Sequence, residues 1–210
     1  MSHVRHPIEE ESFRIIESFR DWSAYSLAEK EILKRLVHTT GDPTVVDNIT
    51  ISDGAIAAAR FAFSQKATVI TDVTMVQYGL NRINRERIGY DTFCGVHDKD
   101  AYSLAQSEGI TRSSAAILSA RKKFGDNVIV AVGNAPTALI DTVQAILQGW
   151  RPHLVIGFPV GFVNIIQSKQ ALLGQSLVPY IGNDGYRGGS PWAATTINAL
   201  MTVFLEGYDA

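Results

Sequence analysis

The stretch NVIVAVGNAPTALIDTVQAILQGWRPHLVIGFPVGFVN, residues 127–164, decides the fold. Residues 128–132 form a continuous apolar run rich in β-branched side chains, the pattern of a strand buried on both faces as in a parallel sheet. Gly133-Asn134-Ala135-Pro136 then turns the chain, and Pro136 suits the first turn of a helix, where its missing N–H is no loss. Residues 137–147 carry apolar side chains at helical spacing, and Gly149 ends that helix. A second apolar strand at 154–156 meets a second tight turn, Gly157-Phe158-Pro159-Val160-Gly161-Phe162. The order strand, turn, helix, strand, turn is a βαβ unit. In open α/β sheets ligands bind at the carboxyl ends of the strands, so a site is expected at these turns.

Working outward, the remaining segments alternate in the same way. Pro7 starts a helix with Glu9, Glu10 and Glu11 near its positive end and Phe13, Ile15, Ile16 and Phe19 on an apolar side. Ser26 and Glu29 fit a capping box, and the helix they open runs through Ile32, Leu33, Leu36 and Val37 to His38, stopped by Thr39-Thr40-Gly41-Asp42-Pro43. Residues 45–52 partly alternate and read as a strand, 53–65 as an alanine-rich helix, and 67–71 as a short buried strand with Asp72 at its carboxyl end. A turn of helix at 73–78 leads into a basic loop at 80–90, a candidate strand at 92–96 and helices at 99–107 and 111–124. After the central unit come a helix at 162–173, a strand at 178–182, a glycine-rich loop and a last helix at 190–205. The alternation predicts an α/β fold, three layers α/β/α around a doubly wound, mainly parallel sheet. It forms a single domain over 1–210, with 1–6 as a loose tail.

Composition bounds the function. A chain of 210 residues makes its own core, and its one cysteine, Cys94, rules out an internal disulfide framework and fits a reducing compartment. The net charge of -2 argues against nucleic acid as a partner. No apolar run has the length of a membrane span, and the polar, acidic start MSHVRHPIEEES is unlike a targeting peptide. A soluble, cytoplasmic protein is expected. There is no G-x-G-x-x-G after a strand, no G-x-x-x-x-G-K-[ST] and no G-x-S-x-G. The histidines at 3, 6, 38, 97 and 153 have no metal-ligand spacing with Cys94. The expectation is no metal and no cofactor, with chemistry that is acid–base or driven by binding.

The residues left as candidates cluster at element ends. His38 closes an amphipathic helix one turn after Arg35; a cationic imidazole is favoured at a helix C-terminus, which suits an acid. On periodicity alone the ordinary helix-ending residue is the favoured reading. Arg112 with Ser113 and Ser114 opens a helix, a combination that binds a carboxylate or phosphate or merely caps. Gly185-Tyr186-Arg187-Gly188-Gly189-Ser190 repeats that design in a glycine-rich loop, where the backbone approaches a ligand closely. Asn134 is either a turn residue or a donor to a ligand carbonyl, and Asp72 equally a helix cap. Arg82, Arg85 and Arg87 suit a solvated loop. Phe158 and Phe162 suit the core, with stacking on a flat ligand as the alternative, and Trp150 and Trp192 suit packing. Several anion-binding corners and one histidine fit a ligand with many carboxylates.

Longer stretches carry a resemblance. GITRSSAA (109–116), VAVGNAPTAL (130–139), GFPVGFVNIIQSK (157–169) and YRGGSPWAATTINAL (186–200) resemble the precorrin-8X methylmutase family of cobalamin biosynthesis. HPIEEESF (6–13), RLVHTTGD (35–42) and VITDVTMVQYGL (69–80) follow the same family in the same order. The resemblance implies a flavodoxin-like homodimer with active sites near the dimer interface. It also implies an isomerisation without external cofactor, in which a methyl group moves from carbon 11 to carbon 12 of a polycarboxylate corrin precursor to give hydrogenobyrinate. By position it puts the catalytic histidine at His38 and substrate contacts at Ser12 and Arg35. Resemblance and chemistry together assign Arg112, Ser113, Arg187 and Ser190 to substrate carboxylates, with Asn134 beside them. Residues 80–106 follow the family less closely. The same motifs fit a cobalt-containing substrate, a non-catalytic corrinoid carrier retains the binding features alone, and a flavodoxin-like regulatory module lacks its flavin-phosphate loop or acidic phosphoacceptor cluster here.

Overall fold

A computed structural model describes residues 6–208 of the chain. The elements begin with α1 (Pro7–Ser18), α2 (Leu27–Thr40), a 3-10 turn (Pro43–Asn48), β1 (Ile49–Ile51), α3 (Ala55–Ser64) and β2 (Thr68–Thr71). They continue with α4 (Thr74–Tyr78), α5 (Arg82–Ile88), β3 (Thr92–Phe93), α6 (Lys99–Glu108) and α7 (Arg112–Phe124). Then come β4 (Val128–Val132), α8 (Pro136–Leu147), β5 (Leu154–Gly157), α9 (Ile165–Leu173), β6 (Tyr180–Asn183) and α10 (Ser190–Glu206).

The strands form one sheet in the order β1-β6-β5-β4-β2-β3. Strands β2 to β6 are mutually parallel, and β1 joins the β6 edge antiparallel, with Ile49 opposite Asn183. Renumbered in chain order, the five parallel strands lie 2-1-3-4-5, the flavodoxin order. Every residue of β4 is buried, and its side chains alternate between two cores. Ile129 and Ala131 pack with α2, α3 and α10, and Val128, Val130 and Val132 pack with α7 and α8. That two-sided burial is why the strand reads as an unbroken apolar run.

Local chemistry explains most boundaries. Ser26 and Glu29 form the reciprocal capping box of α2. Phe158, Trp150 and Trp192 are core residues. Two readings are corrected. Residues 45–52 are half 3-10 turn and half strand, because Asp42 caps the turn by accepting the Thr44 N–H and delays the strand to Ile49. The basic segment 80–90 is not a loop but helix α5: the Asn81 side chain accepts the Asn84 N–H at 2.9 Å, Gly89 closes the helix, and only Asn84 and Ile88 are buried. Charge at most exposed positions hid a short helix whose signals lay in its two caps.

One buried carboxylate orders the centre of the carboxyl edge. Asp72 follows β2, and β2 and β4 are the neighbours between which the strand order reverses. Its Oδ1 accepts the Gly133 N–H at 2.9 Å, and its Oδ2 accepts those of Asn134 and Ala135 at 2.8 Å each. It caps no helix of its own. Burial pushes the carboxyl above its usual value, against the pull of the three amide donors. Truncation to Asp72→Ala strands all three N–H groups, each costing about 1–3 kcal/mol. Urea unfolding of this variant is expected to show a loss of at least about 3 kcal/mol; a loss below about 1 kcal/mol would contradict the assigned role.

Candidate active site

The parallel strands β2, β4, β5 and β6 all end on one edge of the sheet. Because β1 runs against β6, it starts on that same edge and brings the C-terminus of α2 with it. His38 lies there, in the last turn of α2. Its exposed imidazole stacks on Phe13 of α1, centroids 5.7 Å apart and planes 21° from parallel. A hollow of about 240 Å³ beside it is lined by Ser12, Ile15, Phe19, Val37, His38 and Pro43 among others. The Ser12 hydroxyl donates back to the Ile8 carbonyl at 3.0 Å, and its oxygen keeps acceptor capacity.

Arg35 sits deeper. Its Nε donates to the buried Glu31 and its Nη1 lies 3.6 Å from Glu9, while the guanidinium is 5.7 Å above the Phe13 ring. It ties α1 to α2 and so fixes Phe13 against His38. Its Nη2 is buried with no hydrogen-bond acceptor among the described residues.

The loop after β6 meets the same end of α2. Arg187 forms an ion pair with Asp42 at 2.6 Å, its guanidinium 5.7 Å from the Trp192 ring, and its side chain stays 49% exposed. Thr39 and Thr195 share a hydrogen bond of 2.9 Å that joins α2 to α10. Ser190, at the first turn of α10, is buried, its Cα against Gly133. His38, Ser12 and Arg187 are thus brought to one end of the molecule from three separate stretches of sequence.

Arg112, Ser113 and Asn134 form a second group farther along the edge. Thr111 and Thr137 share a 2.8 Å hydrogen bond that holds the N-termini of α7 and α8 side by side. Arg112 is exposed, stacked 5.0 Å over the Tyr102 ring and donating to the Tyr102 hydroxyl. Ser113 is half-buried beside it, and the Asn134 side chain is exposed while its N–H is held by Asp72.

Several residues that shape the site carry little sequence signal. Phe13 and Asp42 are spent on ordinary-looking helix features, and their roles follow from what lands against them. Phe162 is 88% exposed rather than buried, its ring 5.8 Å from that of Tyr186. Lys169 of α9 has no exposed surface, and its Nζ donates to the carbonyls of Gly185 and Arg187 at 2.8 and 2.5 Å. Burial pushes its ammonium down to about 8, with Asp184 pulling the other way. Among the described residues no three His, Cys, Asp or Glu side chains gather as metal ligands, and no helix is long and apolar enough to cross a membrane.

The Asp42 carboxyl is held below its usual value first by the Thr44 hydroxyl and amide, and then by the Arg187 guanidinium. NMR titration should show its pKa rising both on Thr44→Val, which removes the hydroxyl and keeps the amide, and on Arg187→Met. A pKa that stays put in either variant would contradict the part assigned to that residue.

Comparison with known proteins follows the geometry. The family model described as precorrin-8X methylmutase matches residues 7–203. A precorrin-8X methylmutase of Pseudomonas aeruginosa is 38% identical over 82% of this chain and 83% of its own length. A cobalt-precorrin-8 methylmutase of Salmonella typhimurium is 34% identical over 96% of this chain and 97% of its own. The crystal structure of a precorrin-8X methylmutase from Thermus thermophilus superposes with a TM-score of 0.87 at 36% identity, covering 97% of this chain and 98% of that one. The chain belongs to the precorrin-8X methylmutase family, isomerases of cobalamin biosynthesis.

Proposed function

We propose that this isomerase moves a methyl group from carbon 11 to carbon 12 of metal-free precorrin-8X, giving hydrogenobyrinate, with His38 as the proton donor. The observation that supports this reading is the placement of His38: an exposed imidazole, backed by Phe13, beside a hydroxyl and within a rim that carries Arg187. Substrate and product are isomers. The bond from carbon 11 to the methyl breaks as the bond to carbon 12 forms, the ring's conjugated electrons shift to compensate, and nothing is oxidised. A proton lent to the macrocycle makes it more electron-poor while the methyl moves, and returns to the imidazole afterwards.

The chain's other residues hold the ring. Arg187 and Ser12 lie around His38, and Arg112, Ser113 and Asn134 along the edge offer donors to acetate and propionate groups. Arg35, behind Phe13, and Ser190, in the first turn of α10, are further substrate contacts in this reading. Anchoring the rim leaves the developing charge beside one acid.

A second copy of the chain completes the site in this proposal. The hollow at His38, about 240 Å³, falls short of the roughly 300–1,000 Å³ that drug-sized ligands occupy, and a tetrapyrrole is larger. Ile8 and Ile15 on α1 and Phe19 just after it are exposed beside it, an apolar surface suited to burial in a homodimer. The reading places the protein in the cytoplasm, where its single thiol, Cys94, stays reduced. Relatives named for the metal-free and the cobalt-containing substrate are similar to this chain to nearly the same degree, so both precursors belong in the assay.

Mixing the protein with each precursor and following the visible spectrum reads the reaction directly, since moving the methyl changes the chromophore. Wild type is expected to convert precorrin-8X; His38→Ala should bind it yet turn over roughly 10²–10⁴-fold more slowly. Full activity in His38→Ala would remove it as the acid. Conversion of the cobalt substrate alone would reassign the substrate, and binding without conversion of either would leave a carrier. Light scattering should give twice the chain mass, and a monomer that turns over would defeat the shared site.

A further inference from the structure

Lys169 is a fully buried cation that the chemistry above does not use. It lies on α9, and its Nζ donates to the carbonyls of Gly185 and Arg187 at 2.8 and 2.5 Å. Asn183, at the end of β6, donates its Nδ2 to the carbonyls of Asp184 and Arg187, each at 2.8 Å. The Arg187 carbonyl therefore receives two buried donors from different elements.

The same loop is held from a further side. The Gly189 N–H donates to the Phe158 carbonyl at 2.7 Å. Gly188 lies so close to the turn after β5 that a Cβ there would sit 2.6 Å from both the Phe158 and Pro159 oxygens. The backbone of 185–189 has no helix or strand of its own to order it, yet its carbonyls and amides are fixed by these contacts. What remains outward is Tyr186, 55% exposed, and the Arg187 side chain. Burying a lysine is costly unless it gains strong hydrogen bonds. Here it gains charge-assisted ones, and they go to the residue whose side chain reaches the His38 end of α2.

We propose that Lys169, together with Asn183, is a positioning residue for Arg187: it clamps the loop carbonyls so that the guanidinium is presented to a substrate carboxylate at one fixed place beside the C-terminus of α2. The proposal rests on the reading that Arg187 binds such a carboxylate. Lys169 acts only through the loop, so removing it and removing Arg187 should damage the same contact. Two independent structural losses would instead add.

The test is a double-mutant cycle on the full chain with wild type, Lys169→Met, Arg187→Met and the double variant. Steady-state methyl migration gives KM and kcat, and visible titration with hydrogenobyrinate gives affinity without turnover. Each single variant is expected to raise KM and weaken product binding about tenfold, the size of one charge-assisted contact, with kcat changed less than about twofold. The double variant should be no worse than the weaker single variant. A product of the two effects, about a hundredfold, would overturn the proposal, as would an unchanged KM in Lys169→Met or a loss confined to kcat. Should Lys169→Met fail to fold, Asn183→Ala removes the other donor to the same carbonyl and runs the same cycle, with additivity again the contrary result. A wild type that binds hydrogenobyrinate without turning over either precursor would sink the reaction reading while the binding cycle still decides the clamp. An Arg187→Met chain with normal KM and affinity would remove the clamp's purpose and overturn it.

Discussion

The carboxylate of Asp72 sits in the amide nest of Gly133, Asn134 and Ala135, and the layout of the carboxyl edge depends on it. In a sheet of flavodoxin order the crevice between β2 and β4 is where a ligand anion would be expected, because the following helices leave on opposite faces. Here that nest is filled from inside, by the residue that follows the neighbouring strand. Its three N–H groups are satisfied and closed to an external anion. Burial pushes the carboxyl above its usual value, and the donors that oppose this are the very ones it holds. The crevice becomes a rigid floor, and the outward chemistry falls to side chains around it.

What the floor supports lies toward β5, β6 and β1. The antiparallel entry of β1 decides the active end, because it returns the C-terminus of α2 to the edge where the parallel strands finish. His38 arrives by that route. Arg187 arrives by the loop after β6 and pairs at 2.6 Å with Asp42, just past the end of α2. The guanidinium is thereby oriented before any ligand enters and still half exposed, a prepaid ordering that favours binding. Arg35, paired with Glu31 of its own helix, makes the matching arrangement on the other side and meets α1 through Glu9 and Phe13, so that Phe13 backs the imidazole. An imidazole held against an apolar ring, with arginines at the margin, fits the proposed binding of a flat macrocycle fringed with carboxylates.

Much of this was legible in the sequence, for reasons that differ by element. β4 and β5 declared themselves because strands covered on both faces must be apolar throughout. The start of α2 declared itself because Ser26 and Glu29 bind reciprocally over three residues. Helix α5 was hidden because its charged, exposed face outweighs its two buried residues, and the start of β1 was misplaced because a 3-10 turn consumed the first half of its segment. At the site, His38 and Arg187 stood at recognisable element ends. Asp72 stood at a strand end but its amide partners did not show, and Phe13 and Lys169 did not stand out, since each acts on backbone or rings distant in sequence, and no local pattern encodes that. Phe162 misled because an aromatic flanked by a tight turn resembles a core residue, and only the tertiary structure shows it to be 88% exposed.

The most direct measurement of the central claim is a crystal structure of this chain with hydrogenobyrinate bound. The account predicts the macrocycle at the His38 end of α2, the imidazole within hydrogen-bonding distance of the ring, Arg187 on one of its carboxylates and the Asp72 nest unchanged. A corrinoid seated instead between the β2 and β4 turns, with Asp72 displaced or His38 turned away from the ring, would contradict it.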